Sequence, residues 1–179
     1  HDAALKEKVN AILKEAGHPY AYQGTSEITH FLWVLDEHPE VLDGKITDAL
    51  KGTQVACYYG CHILRPALIM NHESGDYPES FERLVRRLGA EPVWFDAGRK
   101  CCGFHAQFTA EHDVLTVTGQ IAASADRAGA NLIATPCPLC QMQLDMYGPE
   151  GRDAVRGETD MPILHLQQLV GLALGMTQE

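Results

Sequence analysis

Hydrophobic positions follow one pattern before residue 50 and another after it. In the first part, apolar residues recur at helical spacing, which predicts helices over 2–16 and about 26–38. Asp2 is the expected N-cap of the first helix, and Gly17 is its expected stop. In the second part, short continuous apolar runs predict strands over 53–59, 91–95, 131–135 and 162–164. Helices are predicted between and after these strands, over 78–88, over 109–128, after Pro138 and up to about Gly175.

Apolar strands that alternate with helices are typical of a parallel sheet covered on both faces. The predicted fold class is therefore α/β, with a parallel sheet flanked by helices and a helical N-terminal arm. We divide the chain into a helical arm or interdomain segment over 1–50 and an α/β domain over 51–179.

Two stretches inside the α/β domain receive purely structural interpretations. The apolar stripe of the helix at 109–128 is expected to pack in the core, and its members are Val114, Val117, Ile121 and Ala125. Acidic residues over 150–160 predict a solvated loop.

Composition narrows the class of protein. Hydrophobic residues make up 45% and charged residues 21% of the 179 positions, as in ordinary globular domains, so a disordered chain is excluded. No apolar run approaches the ~18 residues of a membrane span. The formal net charge of −10, with Lys and Arg dispersed, argues against a nucleic-acid surface. The phosphate loops GxGxxG and GxxxxGK[ST] are absent, so a nucleotide or flavin would have to bind to partner subunits.

The six cysteines carry the candidate chemistry. Cys57 lies within a predicted strand and is expected to be a buried core thiol. The others follow the first three predicted strands, and they are Cys61, Cys101, Cys102, Cys137 and Cys140. Because ligand sites of open parallel sheets form at the carboxyl ends of the strands, we expect these five thiols to converge there.

The residues around these cysteines fit a ligand site. Gly60 and Gly103 permit unusual backbone angles and a close approach to a bulky group. Pro138 suits the first turn of a helix, which would place Cys137 near the positive end of the helix dipole and stabilise its thiolate. His62 and His105 are further candidates to line the site.

Residue spacing alone leaves five interpretations open. The cysteines could form a disulfide framework, or Cys137 and Cys140 could be a thioredoxin-like redox pair. Four of the five could bind structural zinc. The set could instead bind an iron–sulfur cluster or act as reactive thiols without metal.

The cysteine motifs resemble a known family. The series is similar to the cysteine-rich CCG domain, and it runs Cys61 … Cys101-Cys102-Gly103 … Cys137-Pro138-Leu139-Cys140. VACYYGCHILRP over 55–66 and TPCPLCQMQLD over 135–145 most resemble the B subunit of heterodisulfide reductase and its relatives. THFLWVL over 29–35 resembles the segment between the two CCG domains of that protein. The resemblance covers nearly the whole chain.

The resemblance implies a cofactor and an activity. In the archaeal enzymes of the family, a CCG domain can hold a noncubane [4Fe-4S] cluster through its motif cysteines. Carried over residue by residue, the ligands and, through the cluster, the catalytic groups would be Cys61, Cys101, Cys102, Cys137 and Cys140. The implied role is that of an oxidoreductase component acting on a sulfur group, with electron transfer and disulfide or thiol redox chemistry.

The resemblance also implies partners. The family's B subunit carries two CCG domains, and this chain has one set of motif residues, which corresponds to the C-terminal one. We therefore expect a C-terminal portion of a longer polypeptide, inactive as an isolated fragment. Its partners would be the second CCG domain, the electron-delivering subunits and a disulfide or thiol substrate, without nucleic acid. A cytoplasmic location is expected.

Other members of the family supply alternatives. Some use a CCG motif for zinc, which would make this a structural zinc-binding module. Others belong to sulfur-oxidising or hydroxy-acid-oxidising complexes. Zinc has no redox chemistry, so the identity of the metal separates a catalyst from a scaffold. Five thiolates exceed the ligands of a tetrahedral zinc ion, and an adjacent Cys-Cys pair can reach two metal atoms, which favours the cluster.

Overall fold

The structure is a computed structural model that describes residues 2–26 and 28–176. It divides into two compact units, with the division between His30 and Phe31. In the first unit, helix α1 spans Ala3–Glu15, and the Asp2 side chain accepts hydrogen bonds from the backbone N–H groups of its first turn, as predicted. Asn10 on this helix also exchanges two hydrogen bonds with the backbone of Tyr22.

A parallel four-stranded sheet forms the centre of the second unit and confirms the predicted α/β class. Its strands are β1 (Gln54–Cys57), β2 (Glu91–Val93), β3 (Leu132–Thr135) and β4 (Ile163–His165), in the order β2-β1-β3-β4. β1 pairs with β2 on one side and with β3 on the other, and β4 pairs with β3. Each strand is short because the apolar runs that form it are short.

The helices of the second unit connect the strands and cover the sheet. They are α2 (Phe31–Glu37), α3 (Ala67–Met70), α4 (Ser80–Arg87), α5 (Glu111–Arg127), α6 (Pro138–Met146), α7 (Gly148–Ala154) and α8 (Leu166–Ala173). Short 3₁₀ turns lie at Pro39–Leu42, Asp48–Leu50 and Phe104–Ala106.

Two hydrophobic cores lie on opposite faces of the sheet. The first core joins α2, α4 and α8 to one face and includes Cys57, which is buried as predicted. The second joins α5 and α6 to the other face. Tyr58 belongs to the second core and Tyr59 to the first, because successive residues of an extended chain point to opposite faces. Of the predicted stripe on α5, Ile121 and Ala125 belong to the second core, Val117 is partly buried against it, and Val114 is buried.

Residues 31–50 pack with the sheet. Leu32, Leu35, Leu42 and Leu50 all belong to the first core, although they lie within the predicted arm. The division at residue 50 marks where the strand pattern starts, whereas the compact unit begins at Phe31. Helical periodicity shows that a segment has an apolar face, but it does not show which surface covers that face.

The expectation of a loop over 150–160 is wrong for its first part, because Gly148–Ala154 form helix α7. Gly151 is buried against α5, where an added Cβ would lie 2.8 Å from the Thr118 side chain. Two glycines in a short acidic stretch suggest a loop, but here they permit close contact between two helices. The acidic side chains Glu150 and Asp153 are exposed, as expected.

Candidate functional site

The strand order places the cysteine loops around one point of the sheet. The chain goes from β1 to β2 on one side, and then returns to the other side of β1 to form β3. In parallel sheets, a crevice opens at the carboxyl ends of the two strands where the order reverses. The loop after β1 carries Cys61, and the loop after β3 carries Cys137. The loop after β2 adds Cys101 and Cys102, so all five motif cysteines follow carboxyl ends of neighbouring strands.

Hydrogen bonds join the loop after β1 to the loop after β2. The Tyr58 hydroxyl donates to the carbonyl of Lys100 at 2.7 Å, and the Tyr59 N–H donates to the carbonyl of Gly98 at 2.9 Å. The Arg65 guanidinium donates to the Arg99 carbonyl at 3.3 Å. These bonds hold the segment before Cys101 against the segment that surrounds Cys61.

Cys61 and Cys101 form the outer part of the thiol group. Their Sγ atoms lie 4.0 Å apart, and the backbone N–H of Gly103 points to Cys101 Sγ at 3.4 Å. Cys101 is exposed and Cys61 is half-buried. Burial, followed by the neighbouring Cys101 thiol, raises the pKa of Cys61.

Cys102, Cys137 and Cys140 form the inner part, in which Cys140 is hydrogen-bonded to both others. Its hydrogen bond lowers the pKa of Cys137 to about 5, with the backbone N–H groups of Cys140 and Leu139 acting in the same direction against the effect of burial. The same donor lowers the pKa of Cys102 to about 7. Hydrogen bonds to Cys102 and Cys137 in turn raise the pKa of Cys140. The hydrogen bonding within this group thus favours ionisation of Cys137 before that of Cys102 and Cys140.

Cys137 is the N-cap of α6, and Pro138 occupies the first turn, as the sequence predicted. The Thr135 hydroxyl accepts a hydrogen bond from the Cys137 N–H at 3.3 Å, which fixes the turn between β3 and the helix. All six cysteines are free thiols, so the disulfide framework is absent from this structure.

Gly60 and Gly103 have the unusual backbone angles that the sequence suggested, but each lies against a side chain of the protein, where a bulky ligand was expected. Gly60 has φ +73°, and a Cβ there would lie 2.8 Å from Cys140 Sγ. Gly103 has φ +85°, and a Cβ there would lie 3.1 Å from the Val114 side chain. The group that approaches Gly60 is therefore a cysteine of the site itself.

His62 and His105 lie together, with ring centroids 5.4 Å apart. They belong to the loops of Cys61 and Cys102, and His62 contributes a further lowering of the pKa of Cys137. Arg65 also forms an ion pair with Asp76 at 3.9 Å.

The donor set is sulfur, spread over three loops. Among residues 2–26 and 28–176, no group of three or more His, Cys, Asp or Glu side chains could hold a single metal ion as the side chains stand. All five motif side chains are sulfur donors, the ligand type of iron–sulfur clusters and of structural zinc sites, so the donor set agrees with either kind of metal centre.

Sequence reasoning missed three polar residues near these thiols. Tyr58 lies in a predicted strand, which indicates no more than packing, although its hydroxyl joins two cysteine loops. Gln107 and Gln143 carry no motif signal, yet both are buried and hydrogen-bonded to each other at 3.0 Å. The helical spacing of Gln143 from Cys140 is the signal that could have placed it on the inner face of α6.

A parallel α/β sheet with five thiols on the loops at its carboxyl edge defines a cysteine-rich α/β domain. The family described as the cysteine-rich CCG domain matches residues 55–145, a range that contains all five motif cysteines. The chain belongs to this CCG family.

Curated relatives match over almost the whole chain. A protein of Wolinella succinogenes described as "8-methylmenaquinol:fumarate reductase membrane anchor subunit" is 43% identical over 175 residues, covering 98% of this chain and 61% of the relative. The B subunit of a ferredoxin:CoB-CoM heterodisulfide reductase from Methanosarcina mazei is 31% identical over 182 residues, covering 99% and 60%. A protein of Archaeoglobus profundus, named as similar to the B subunit of heterodisulfide reductase, is 31% identical over 181 residues, covering 98% and 60%. The chain spans about three-fifths of the length of these relatives.

A solved structure shares the fold. The crystal structure of a hypothetical protein from Helicobacter pylori superposes with a TM-score of 0.67 at 13% identity, covering 99% of this chain and 31% of that one. At that identity the likeness concerns architecture alone. In the described part of the chain, no helix combines the length and the apolar character that crossing a bilayer requires.

Proposed function

We propose that this chain is part of an iron–sulfur redox subunit that works in a multi-subunit reductase of the heterodisulfide reductase type. The observation that carries the proposal is that five free thiols follow the carboxyl ends of three neighbouring strands, four of them on the loops and Cys140 in the first turn of α6. Relatives named for the B subunit of heterodisulfide reductase support the same role.

The proposed cofactor is a noncubane [4Fe-4S] cluster held by Cys61, Cys101, Cys102, Cys137 and Cys140. The cluster, when bound, would supply one-electron transfer and metal sites for a sulfur atom of the substrate. The chain's own contribution is a set of thiols prepared for ligation, because two of them ionise readily. The pKa of Cys137 is lowered to about 5 and that of Cys102 to about 7.

The half-buried Cys61 and the exposed Cys101 form the open side of the site. A disulfide or thiol substrate, the substrate class of the proposal, would approach from this side. His62 and His105 stand beside it and can line that approach. The free thiols fit a reducing compartment, so the proposed location is cytoplasmic. The proposed partners are a second CCG domain and electron-delivering subunits.

A second candidate follows from the higher identity, 43%, to the relative named for menaquinol:fumarate reductase. In that case the same cluster would pass electrons within a quinol-linked complex and would not act on a sulfur substrate. The two candidates differ in what the native complex reduces. Disulfide reduction with a reduced viologen supports the first candidate, whereas quinol-dependent fumarate reduction without disulfide turnover supports the second.

The cofactor is tested on the full-length protein, purified anaerobically. We expect iron and acid-labile sulfide together with an EPR signal after a one-electron redox titration. Serine replacement at each of the five motif cysteines should lower the iron content. Cys57→Ser is the matched control, because Cys57 is buried in the first core and lies outside the motif.

The zinc alternative predicts a different result. A four-coordinate zinc ion needs four thiolates, so one of the five serine variants would keep full metal content. Stoichiometric zinc without iron in the anaerobic protein would contradict the proposed cluster.

A further inference from the structure

A buried polar network lies next to the inner cysteines. The Gln143 side-chain Nε2 donates to Gln107 Oε1 at 3.0 Å and to Thr118 Oγ1 at 3.1 Å. Gln143, Gln107 and Thr118 are 0%, 3% and 1% exposed, respectively. Both amide hydrogens of Gln143 are therefore used inside the protein, without contact with solvent.

The network joins the two segments that supply the inner thiols. Gln107 directly follows the 3₁₀ turn Phe104–Ala106, which begins at the glycine after Cys102. Gln143 lies on α6, one helical turn beyond Cys140. Thr118 on α5 holds the same amide from a third element. The 3.0 Å bond between the glutamines thus joins the segment that follows Cys102 to the helix that carries Cys140.

Packing alone does not explain an amide at this position. Gln143 Oε1 is buried and has no hydrogen-bond partner among the described residues. A buried polar atom without a partner is destabilising, and an apolar side chain of similar length would avoid that cost. The two N–H donors of Gln143 form directional hydrogen bonds, which an apolar side chain cannot form. Directional bonds fix the position of one segment relative to another.

We propose that Gln143 is a positioning residue, whose hydrogen bonds to Gln107 and Thr118 set the spacing between Cys140 and Cys102 for ligation. The role of that spacing in ligation rests on the proposed function. The spacing itself is a property of the metal-free chain, so it can be measured separately.

The first experiment measures the spacing in metal-free full-length protein, through disulfides formed in a glutathione redox buffer. Cys140 can pair with Cys102, across the two segments, or with Cys137, within the start of α6. Peptide mapping by mass spectrometry gives the ratio of these two disulfides. Gln143→Met keeps the length of the side chain and removes both N–H donors. We expect it to lower the ratio of the Cys102–Cys140 to the Cys137–Cys140 disulfide about fivefold, because, of the two lost hydrogen bonds, only the one to Gln107 joins the two cysteine segments.

Gln141→Met is the matched control, because it makes the same chemical change on the same helix. Gln141 donates to Asp145 on α6 itself, so its replacement should leave the ratio unchanged. A ratio that is unchanged in Gln143→Met, or that falls equally in both variants, would overturn the proposal.

A double variant covers the case in which Gln143→Met does not fold. Replacing both Gln107 and Gln143 by Met removes the Gln107 amide that would otherwise face an apolar side chain and leaves only the Thr118 hydroxyl without its partner, which is expected to restore part of the stability. It should not restore the disulfide ratio, because the directional bond is still absent. A double variant with the wild-type ratio would contradict positioning.

The second experiment measures the EPR spectrum and the midpoint potential of the bound cluster. In the iron-loaded protein, Gln143→Met should change the EPR spectrum and shift the midpoint potential, whereas Gln141→Met should change neither. If the wild-type protein binds no iron, the proposed function fails, and the disulfide ratio still decides the positioning role. Identical EPR spectra and potentials in wild type and Gln143→Met would count against positioning.

Discussion

Cys140 lies against the backbone of Gly60, and no side chain fits between them. A Cβ at residue 60 would be 2.8 Å from Cys140 Sγ, and its φ of +73° disfavours any other residue. Cys140 also forms hydrogen bonds with Cys102 and Cys137. A side chain at residue 60 that displaced Cys140 would therefore also disturb these two thiols.

Gly60→Ala is therefore expected to destabilise the protein by about 1–3 kcal/mol and to lower its iron content at least about twofold. Gly52→Ala is the control, since Gly52 has φ +80° with nothing within 4 Å of an added Cβ. Gly52→Ala should lower the stability through backbone strain but leave the iron content unchanged. Urea unfolding and iron analysis measure the two effects, and equal iron contents in both variants would rule out the steric explanation.

At the residue scale, the sequence predicted which cysteines follow the strands but only part of their contacts. The N-cap position of Cys137 followed from Pro138, and it was confirmed. The largest cause of the lowered pKa of Cys137 is the hydrogen bond from Cys140. Cys102 is hydrogen-bonded to the same Cys140 thiol, although it lies in the loop after β2. No local sequence spacing could have revealed that contact.

Among the helices, α5 and α7 meet through glycines. A Cβ on Gly119 would overlap the carbonyl oxygen of Gly151, so the two helices cross at the closest distance their backbones allow. Gly119→Ala should therefore destabilise the protein by about 3 kcal/mol, as overpacking forces the helices apart. Gly148→Ala is the control, with nothing within 4 Å of its Cβ, and it should be neutral or slightly stabilising. Urea unfolding of both variants is the measurement, and comparable midpoints would refute the close contact.

A second helix pair depends on charge. Arg83 on α4 donates to both carboxylate oxygens of Asp36 on α2, at 2.8 and 2.6 Å. This hydrogen bonding lowers the pKa of Asp36, against the opposing effect of burial. The Asp36 side chain is 12% exposed and that of Arg83 is 49% exposed, so solvent screens part of the attraction.

Asp36→Asn should destabilise the protein by about 1–2 kcal/mol at neutral pH. A lowered folded-state pKa contributes stability above the unfolded-state value of about 3.9, and this contribution disappears as the pH falls through the folded-state value. The difference between wild type and variant should thus shrink below about pH 4, as the Asp36 carboxylate is protonated. Asp48→Asn is the control, because Asp48 is 91% exposed and 4.0 Å from its partner Lys51. Urea unfolding across pH measures this, and a pH-independent difference would refute the assignment to ionised Asp36.

At the element scale, periodicity predicted the long helices and the strands well. It failed for α7, because Gly148 and Gly151 suggest a loop and only the contact with α5 makes a helix favourable there. The short helix Ala67–Met70 also went unpredicted, since four residues are too few to show a period.

In the second unit, both cores close around the sheet with apolar side chains from all the long helices. The thiols sit at the edge of these cores, and only Cys102, Cys137 and Cys140 among the motif residues pack against one of them. The fold of this unit therefore has apolar support that does not depend on a metal.

Iron removal by a chelator should consequently leave the far-UV circular dichroism spectrum nearly unchanged, while lowering the thermal midpoint by roughly 5–15 °C. The lower midpoint reflects the loss of a group that binds only the folded state. The same treatment of Cys102→Ser, expected to hold little iron, should change neither quantity. Loss of the helical signal on iron removal would show that the metal organises the fold, as in zinc fingers.

By itself, the sequence determined the α/β class and the position of five cysteines after the carboxyl ends of neighbouring strands. Apolar periodicity depends on local burial, and the carboxyl edge of a parallel sheet collects whatever follows its strands. Only the tertiary structure decided which cysteine thiols are hydrogen-bonded to each other. It also decided that residues 31–50 pack against the sheet and that Gln107 is hydrogen-bonded to Gln143. These features depend on contacts between segments distant in the chain, and such contacts are fixed by packing in three dimensions, on which sequence spacing carries no information.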